Sequence, residues 1–279
     1  MVAYQWKEVD VSLALLLEMM DALKGYGADV VVVGGWAPYF LLKSFSHGRE
    51  EHLGSWDADL ALNFRGIPEE AYETILETIQ RLGYSPRSNA GGKAIPATFE
   101  KMVQVEGARH RMQVDFLAGE YGGSAKSHRH QHVQDLLAHK ARGADVVFEQ
   151  FYVEDVKGRL LSGAELTVRV NIANEIAVFI MKGICIGQRT KAKDYYDLYM
   201  LAKHFKEGPK SLAQSLVPHK GNGLLKEALG NIHRYFDSPN GQGPTLVAEF
   251  LGEREGDERE IQRRDAFEVV QAVLALVGS

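Results

Sequence analysis

Four consecutive valines, Val30–Val33, followed at once by Gly34 and Gly35, constrain the fold more than any other part of the sequence. A short run of β-branched apolar residues that ends at glycine is typical of a buried strand. The residues that follow, Trp36–Lys43, have the spacing of a helix. The sequence therefore predicts a strand, a glycine turn and the start of a helix in direct succession.

The rest of the N-terminal half alternates predicted helices and strands. A helix over residues 9–24 precedes the valines, residues 56–64 alternate as a second strand, and Pro68 is expected to open a helix that extends to Leu82. Two strand pairs follow, residues 97–106 with 110–117 and residues 146–153 with 166–170. This pattern predicts a mixed sheet with helices rather than a regular doubly wound sheet.

The pattern changes from Ile172 onward, where the apolar spacing becomes helical and glycine and proline separate the segments. The predicted helices cover residues 172–186, 191–205, 223–236 and 258–277. We therefore expect an α/β (α+β) N-terminal domain with a mixed sheet, residues 1–170, and a helical C-terminal domain, residues 171–279.

Composition narrows the class of protein. The chain has 279 residues, of which 45% are hydrophobic and 25% charged, as in ordinary globular proteins. Because it has neither a signal-peptide pattern nor an apolar run near the ~18 residues of a membrane span, we expect a cytoplasmic protein with no membrane partner.

Charge bears on nucleic-acid binding. The net charge of −5 is not that of a protein that coats nucleic acid, so an RNA substrate would need a local basic patch. The best candidate is residues 126–142. Its cations and histidines are Lys126, His128, Arg129, His130, His132, His139, Lys140 and Arg142. The histidines also suggest a metal site, but without interleaved cysteine or carboxylate a solvated loop is favoured.

Three aspartates form the candidate chemical site. Asp57 and Asp59 lie two apart on a predicted strand, so both carboxylates emerge on the same face. Such a pair is costly unless it is fully exposed or a divalent cation neutralises it, and the apolar neighbours argue against full exposure. Asp115, on a later strand, could complete the cluster. Ligands that are all oxygen suit magnesium.

Gly34 and Gly35 add a candidate phosphate site. A glycine turn that leads into a helix presents backbone N–H groups and the positive end of a helix dipole. Each feature also has a plainer interpretation, since a Gly-Gly pair is often only a turn and an Asp-x-Asp pair often only a solvated edge. The order of strand, Gly-Gly, helix, Asp-x-Asp and later Asp strengthens the functional interpretation. It resembles the polymerase-β-like nucleotidyltransferase fold, over residues 30–117.

The predicted helix that contains Asp194 is the most informative part of the C-terminal half. Asp194 lies on the same side of this helix as its apolar stripe, and a carboxylate there needs a partner. Lys182 or Arg189 could supply it, and both would also suit an NTP triphosphate. Alternatively, Asp194 is favoured only by the dipole of the first helical turn.

Lys182, Arg189 and residues 193–198 are together similar to the downstream signature of the AbiEii-like family, nucleotidyltransferase toxins of type IV toxin-antitoxin systems that include the MenT proteins. This resemblance implies an NTP substrate, magnesium, a helical domain that closes the NTP cleft and, in some members, tRNA as acceptor. It also implies an antitoxin partner. Gly34 and Gly35 match the phosphate turn of the family, Asp57 and Asp59 the metal pair, Lys182 the lysine, and Asp194 the later acidic motif.

The resulting hypothesis is a nucleotidyltransferase that moves a nucleoside monophosphate from an NTP to an acceptor hydroxyl on RNA or protein. Asp57 and Asp59 would bind two magnesium ions, and Asp115 would bind the metal at the acceptor hydroxyl or act as its base. Lys182 and Arg189 would hold the phosphates. Two rivals remain: an antibiotic-type enzyme that modifies a small molecule, and a protein that binds a nucleotide or partner without catalysis.

Overall fold

A computed structural model describes residues 6–45, 51–68, 73–120, 130–252 and 256–278. These residues form two compact units. Those within 4–37 and 53–174 make up the sheet unit, and those within 38–52 and 175–278 make up the helical unit. Among the described residues, no helix is long and apolar enough to cross a membrane.

The sheet unit contains one mixed sheet, in which the strand order is β3-β4-β5-β2-β1-β9-β8 and a β6–β7 hairpin joins β5 through β7. The β2–β5, β1–β9 and β5–β7 pairs are parallel, and the other pairs are antiparallel. The strands in the described residues are β1 (Val30–Val33), β2 (Asp57–Leu62), β3 (Ser85–Ser88), β4 (Ala94–Val105), β5 (Ala108–Ala118), β6 (His130–Val133), β7 (Leu136–Lys140), β8 (Phe151–Arg159) and β9 (Glu165–Ala173).

The valine strand β1 lies inside this sheet, between β2 and β9, and all four of its side chains are buried. Helix α1 (Trp6–Ala22) packs against β5, β8 and β9. Where β2 and β5 pair, one face is apolar, with Leu60 and Phe116 both at 0% exposure. This burial fixes the strand register, because a shift by one residue would turn each apolar side chain to the opposite face.

Two predicted boundaries in this unit were wrong. Helix α3 spans Ile75–Arg81 rather than beginning at Pro68, because a capping box fixes its start. The Thr74 side chain accepts a hydrogen bond from the Glu77 N–H, and the Glu77 side chain accepts one from the Thr74 N–H. Part of the longer predicted helix, residues 69–72, lies outside the described residues. The strand predicted at residues 146–153 is a 3-10 helix, Ala144–Phe148, followed by β8.

The helical unit is built around α5 (Ala192–His204), in which most side chains are buried. Among the described residues the other helices of this part are α4 (Glu175–Gln188), α6 (Pro209–Leu216), α7 (Gly223–Tyr235), α8 (Gln242–Phe250) and α9 (Asp257–Gly278). Helices α6 and α8 were not predicted. Pro209 stands at the start of α6 and Pro244 in the first turn of α8, where the missing N–H of proline costs no helical hydrogen bond.

The described residues within 38–52 group with the C-terminal helices, whereas the sequence alone placed this segment in the N-terminal domain. They include most of α2 (Trp36–Lys43). Their aromatic contacts explain the grouping, because the Phe45 ring lies edge-on to Phe205, with 5.7 Å between centroids, and the His52 ring lies 5.2 Å from Tyr196.

Candidate active site

Gly34 directly follows β1. Its backbone is in the left-handed region, with φ of +62°, a conformation that favours glycine. A Cβ atom at this position would collide with the carboxylate of Asp59. The register explains the approach, since Val33 pairs with Asp59 across the antiparallel β1–β2 ladder. The glycine turn and the metal-pair carboxylate that the sequence predicted are therefore in direct proximity.

Asp57, Asp59 and Asp115 lie on one face of two neighbouring strands. Asp59 pairs directly with Asp115 in the parallel β2–β5 ladder, and Asp57 pairs with Gln113 two residues earlier. Because side chains alternate along a strand, all three carboxylates emerge on the same face. They are partly buried, whereas residues of the opposite face such as Ala58 and Val114 are fully buried.

The Asp115 carboxylate is held at both oxygens. The Thr98 hydroxyl donates to Oδ1 over 2.6 Å, and the Gln113 amide nitrogen donates to Oδ2 over 2.7 Å. The Gln113 carbonyl oxygen in turn accepts a hydrogen bond from Arg87. Thr98 and Arg87 were not predicted, because only the pairing of β3, β4 and β5 brings them here. Gln113 was also missed, although its position two residues before Asp115 on β5 places both side chains on one face.

His139 extends this network, with its Nε2 atom 3.3 Å from the Thr98 hydroxyl. The sequence predicted a solvated loop for residues 126–142, but residues 130–140 contain the β6–β7 hairpin. That part of the prediction was wrong, because the pairing of β7 with β5 holds His139 beside Leu117. The candidate cations Lys126 and Arg129, with His128, lie outside the described residues.

The chemistry of these side chains suits a hard cation. Carboxylate oxygens are the ligands that magnesium prefers, and the β2–β5 register places three carboxylates on one face. In the described part of the chain, no three His, Cys, Asp or Glu side chains stand close enough together to form a ligand set for a metal ion. The argument for a magnesium site therefore depends on the β2–β5 register, on the carboxylate oxygens as donors, and on the close approach of Gly34 to Asp59.

The helical unit holds a second group of charged residues, most of them buried. Lys182 Nζ lies 2.7 Å from Asp194 Oδ1 and 2.6 Å from Asp197 Oδ2. The Arg189 guanidinium bonds Asp194 through Nε at 2.8 Å and Nη2 at 3.3 Å. Lys182 is 9% exposed and Arg189 is 56% exposed. The partner that Asp194 needs is thus supplied by both Lys182 and Arg189.

Asp197 is the other centre of this group. It accepts a hydrogen bond from Lys193 over 2.9 Å and lies 2.9 Å from His52 Nε2. The i, i+4 spacing of Lys193 and Asp197 on α5 could have indicated their pairing. The sequence carried no signal for His52, whose contact with Asp197 spans 145 residues.

Burial and charge act in opposite directions on the pKa values of this group. Burial alone would raise the pKa of Asp197 and Asp194, but Lys182 and the other cations hold both below the ordinary value. Burial alone would lower the pKa of Lys182, but the two aspartates raise it. Burial is the main reason that the pKa of His52 falls to about 4, with Lys193 contributing. His52 is therefore neutral at pH 7, and Lys182 is charged.

The structure places the predicted site residues in two sets. In the sheet unit, Asp57, Asp59 and Asp115 share one face of β2 and β5, and Gly34 lies against Asp59. Lys182, Arg189 and Asp194 meet in the helical unit, where they are bonded to one another.

Comparison with known protein families found no family that matches the chain, and comparison with characterised proteins found no significant similarity. The membership of the AbiEii-like family stays a prediction from the residues named above.

Proposed function

We propose that this protein is a magnesium-dependent nucleotidyltransferase that transfers a nucleoside monophosphate from an NTP to an acceptor hydroxyl, in the manner of the AbiEii-like toxins. One observation carries the proposal: Asp59 and Asp115 are paired in register beside Asp57, and Gly34 is in contact range of Asp59. This juxtaposition combines an oxygen ligand set with a glycine turn suited to phosphate.

Asp57, Asp59 and Asp115 would hold the magnesium ions. Bound there, magnesium would neutralise the charge of the triphosphate and of the leaving pyrophosphate. Carboxylates on one sheet face repel one another, so a cation bound at this face would relieve that repulsion. The backbone N–H groups at Gly34 and Gly35 would bind phosphate oxygens.

Asp115 has a separate role in this proposal. Two hydrogen bonds fix the plane of its carboxylate, one at each oxygen. Because each carboxylate oxygen can accept two hydrogen bonds, each retains a site for a further partner. Asp115 would use these sites to bind the metal at the acceptor hydroxyl or to receive the proton of that hydroxyl.

Lys182 and Arg189 would bind the phosphates of the NTP. Their contacts favour a division of labour between them. Arg189 is more than half exposed, whereas Lys182 is buried and bonded to two carboxylates. We therefore assign phosphate contact to Arg189 first, and to Lys182 the orientation of Asp194.

Two classes of acceptor are consistent with this proposal. The family resemblance favours tRNA or another RNA, with an antitoxin protein as regulator. The net charge of −5 favours the rival, a small-molecule acceptor, because no excess of positive charge attracts nucleic acid.

The decisive experiment incubates the full chain with each labelled NTP, magnesium, and either tRNA or a set of hydroxylated small molecules. We expect magnesium-dependent pyrophosphate release and label on one acceptor class, lost in Asp59→Asn. Asp155→Asn, at an exposed position of β8, is the matched control and should behave as wild type. Release in neither mixture, together with an NTP-induced melting shift that is equal with and without magnesium, would favour a binding protein.

A further inference from the structure

Both oxygens of the Asp115 carboxylate are held by hydrogen bonds. Thr98 and Gln113 donate from opposite sides, over 2.6 and 2.7 Å. Hydrogen bonds to an ionised carboxylate are among the strong ones, so they determine its rotation about the side-chain bond. A carboxylate held in this way presents its remaining lone pairs in fixed directions.

The chemistry of the neighbouring groups determines which atom donates to which. Arg87 can only donate, so the oxygen of the Gln113 amide faces Arg87 and its nitrogen faces Asp115. The Thr98 hydroxyl has one proton, which goes to Asp115 across the shorter distance. His139 Nε2, 3.3 Å away, is then the donor toward the Thr98 oxygen. Each donor to Asp115 is thus itself oriented by a second residue.

The β4–β5 ladder places Thr98 at this position. Its register is unbroken from Val105, opposite Ala108, to Thr98, opposite Asp115. On the other side of β4, the β3–β4 register shifts between Ala94 and Phe99. Ala97, within this bulge, has φ of +64°, a left-handed conformation that costs a non-glycine residue on the order of 1 kcal/mol. Bulges are common next to functional sites, and this one adjoins Thr98.

We propose that Thr98 and Gln113 are positioning residues that hold the Asp115 carboxylate in the orientation in which it meets the metal and the acceptor hydroxyl. This inference rests on the proposed function, because it assigns their purpose through Asp115. Residues that orient a metal ligand typically change metal affinity by about 10- to 100-fold when they are replaced.

The test measures binding of Mn²⁺, which shares the oxygen ligands of magnesium, by the loss of the free-ion EPR signal on titration of the full chain. Thr98→Val keeps the shape of the side chain and removes the hydroxyl, so we expect Mn²⁺ affinity to fall about 10-fold or more. Thr98→Ser restores the donor and should restore the affinity. Thr167→Val, at an exposed position of β9, is the matched control. Gln113→Met should lower affinity independently, which keeps the test decisive if Thr98→Val does not fold.

The outcomes separate the two proposals. Wild-type Mn²⁺ affinity in folded Thr98→Val and Gln113→Met, with affinity lost in Asp115→Asn, would overturn the positioning role and leave the proposed function standing. Failure of the wild type itself to bind Mn²⁺ would overturn the proposed function and this inference with it. Reduced affinity in Thr98→Val that Thr98→Ser does not restore would also overturn the inference, because the hydroxyl would not be the responsible group.

Discussion

Replacing Lys182 with methionine is the sharpest test of the buried charged group. Lys182→Met keeps the unbranched apolar stem of the side chain and removes its charged end. In the wild type, Lys182 Nζ contacts two carboxylates, at 2.7 and 2.6 Å, and the side chain is 9% exposed. The substitution therefore removes one cation that Asp194 and Asp197 share, at a place where water cannot replace it.

The expected loss of stability in Lys182→Met depends on which partners Asp194 and Asp197 keep. Breaking a buried ion pair typically costs 3–5 kcal/mol, because a charge is left uncompensated. Here Asp194 keeps Arg189, and Asp197 keeps Lys193 and His52. We therefore expect a loss near the lower end, about 3 kcal/mol in the free energy of unfolding.

The assay measures urea-induced unfolding and magnesium-NTP affinity on the same sample of Lys182→Met. Lys226→Met is the matched control, because Lys226 lies exposed on α7 and its loss should cost less than about 1 kcal/mol. The aspartates raise the pKa of Lys182 above its ordinary 10.5. The contribution of Lys182 to the free energy of unfolding is therefore fully present below pH 10.5, and it is lost only as the pH rises through the pKa of Lys182 in the folded protein. The stability difference from wild type should thus be constant between about pH 6 and pH 9.

The two measurements distinguish a structural lysine from a phosphate ligand. If Lys182 acts only through Asp194 and Asp197, the folded variant binds NTP with unchanged affinity. A direct phosphate contact would instead cost about 1.5–3 kcal/mol, a loss of about 10- to 150-fold in affinity. Unfolding free energy within about 1 kcal/mol of wild type would refute the reasoning from burial, whatever the affinity.

Three further predictions concern the rest of the site. Asp57→Asn and Asp59→Asn should each abolish pyrophosphate release with the free energy of unfolding unchanged or slightly higher, since one like charge is removed; near wild-type turnover in either would contradict the metal assignment. Gly34→Ala should lower the unfolding free energy by more than about 1 kcal/mol and displace Asp59, whereas Gly230→Ala, in open space on α7, should not destabilise. Because folding lowers the pKa of His52 from 6.5 to about 4, the unfolded chain takes up a proton at this residue at higher pH than the folded chain does. The free energy of unfolding should therefore rise by about 3 kcal/mol from pH 4 to pH 7. Urea titrations of His52→Gln should lack that rise.

The sequence could predict the carboxylate face because the rule behind it is local. Asp57 and Asp59 share a face of any strand that contains both, whatever its neighbours. The proximity of Asp115 to them is a property of the β2–β5 register, which no local pattern specifies, and its prediction depended on the order of the motifs. The same holds for Gly34 and Asp59, which the β1–β2 ladder brings together.

Thr98 and His139 illustrate what local patterns miss. Thr98 reaches Asp115 because the β4–β5 ladder pairs the two residues directly, and His139 reaches Thr98 only because β7 adds to β5. By contrast, the start of α3 was visible in the sequence. Thr74 and Glu77 have the spacing of a capping box, a stronger signal for a helix start than the more distant Pro68.

The two sets of aspartates show why residue type alone could not decide the role of Lys182. Asp59 and Asp115 are partly buried and lie side by side on one sheet face, where the proposed function places a cation. Asp194 and Asp197 are almost completely buried and are paired with lysine and arginine side chains. In the sequence all four are carboxylates near apolar residues, and the difference in their burial becomes visible only in the fold. The proposal therefore places the metal at the sheet carboxylates, whereas the carboxylates of the helical unit hold Lys182 and Arg189 in place.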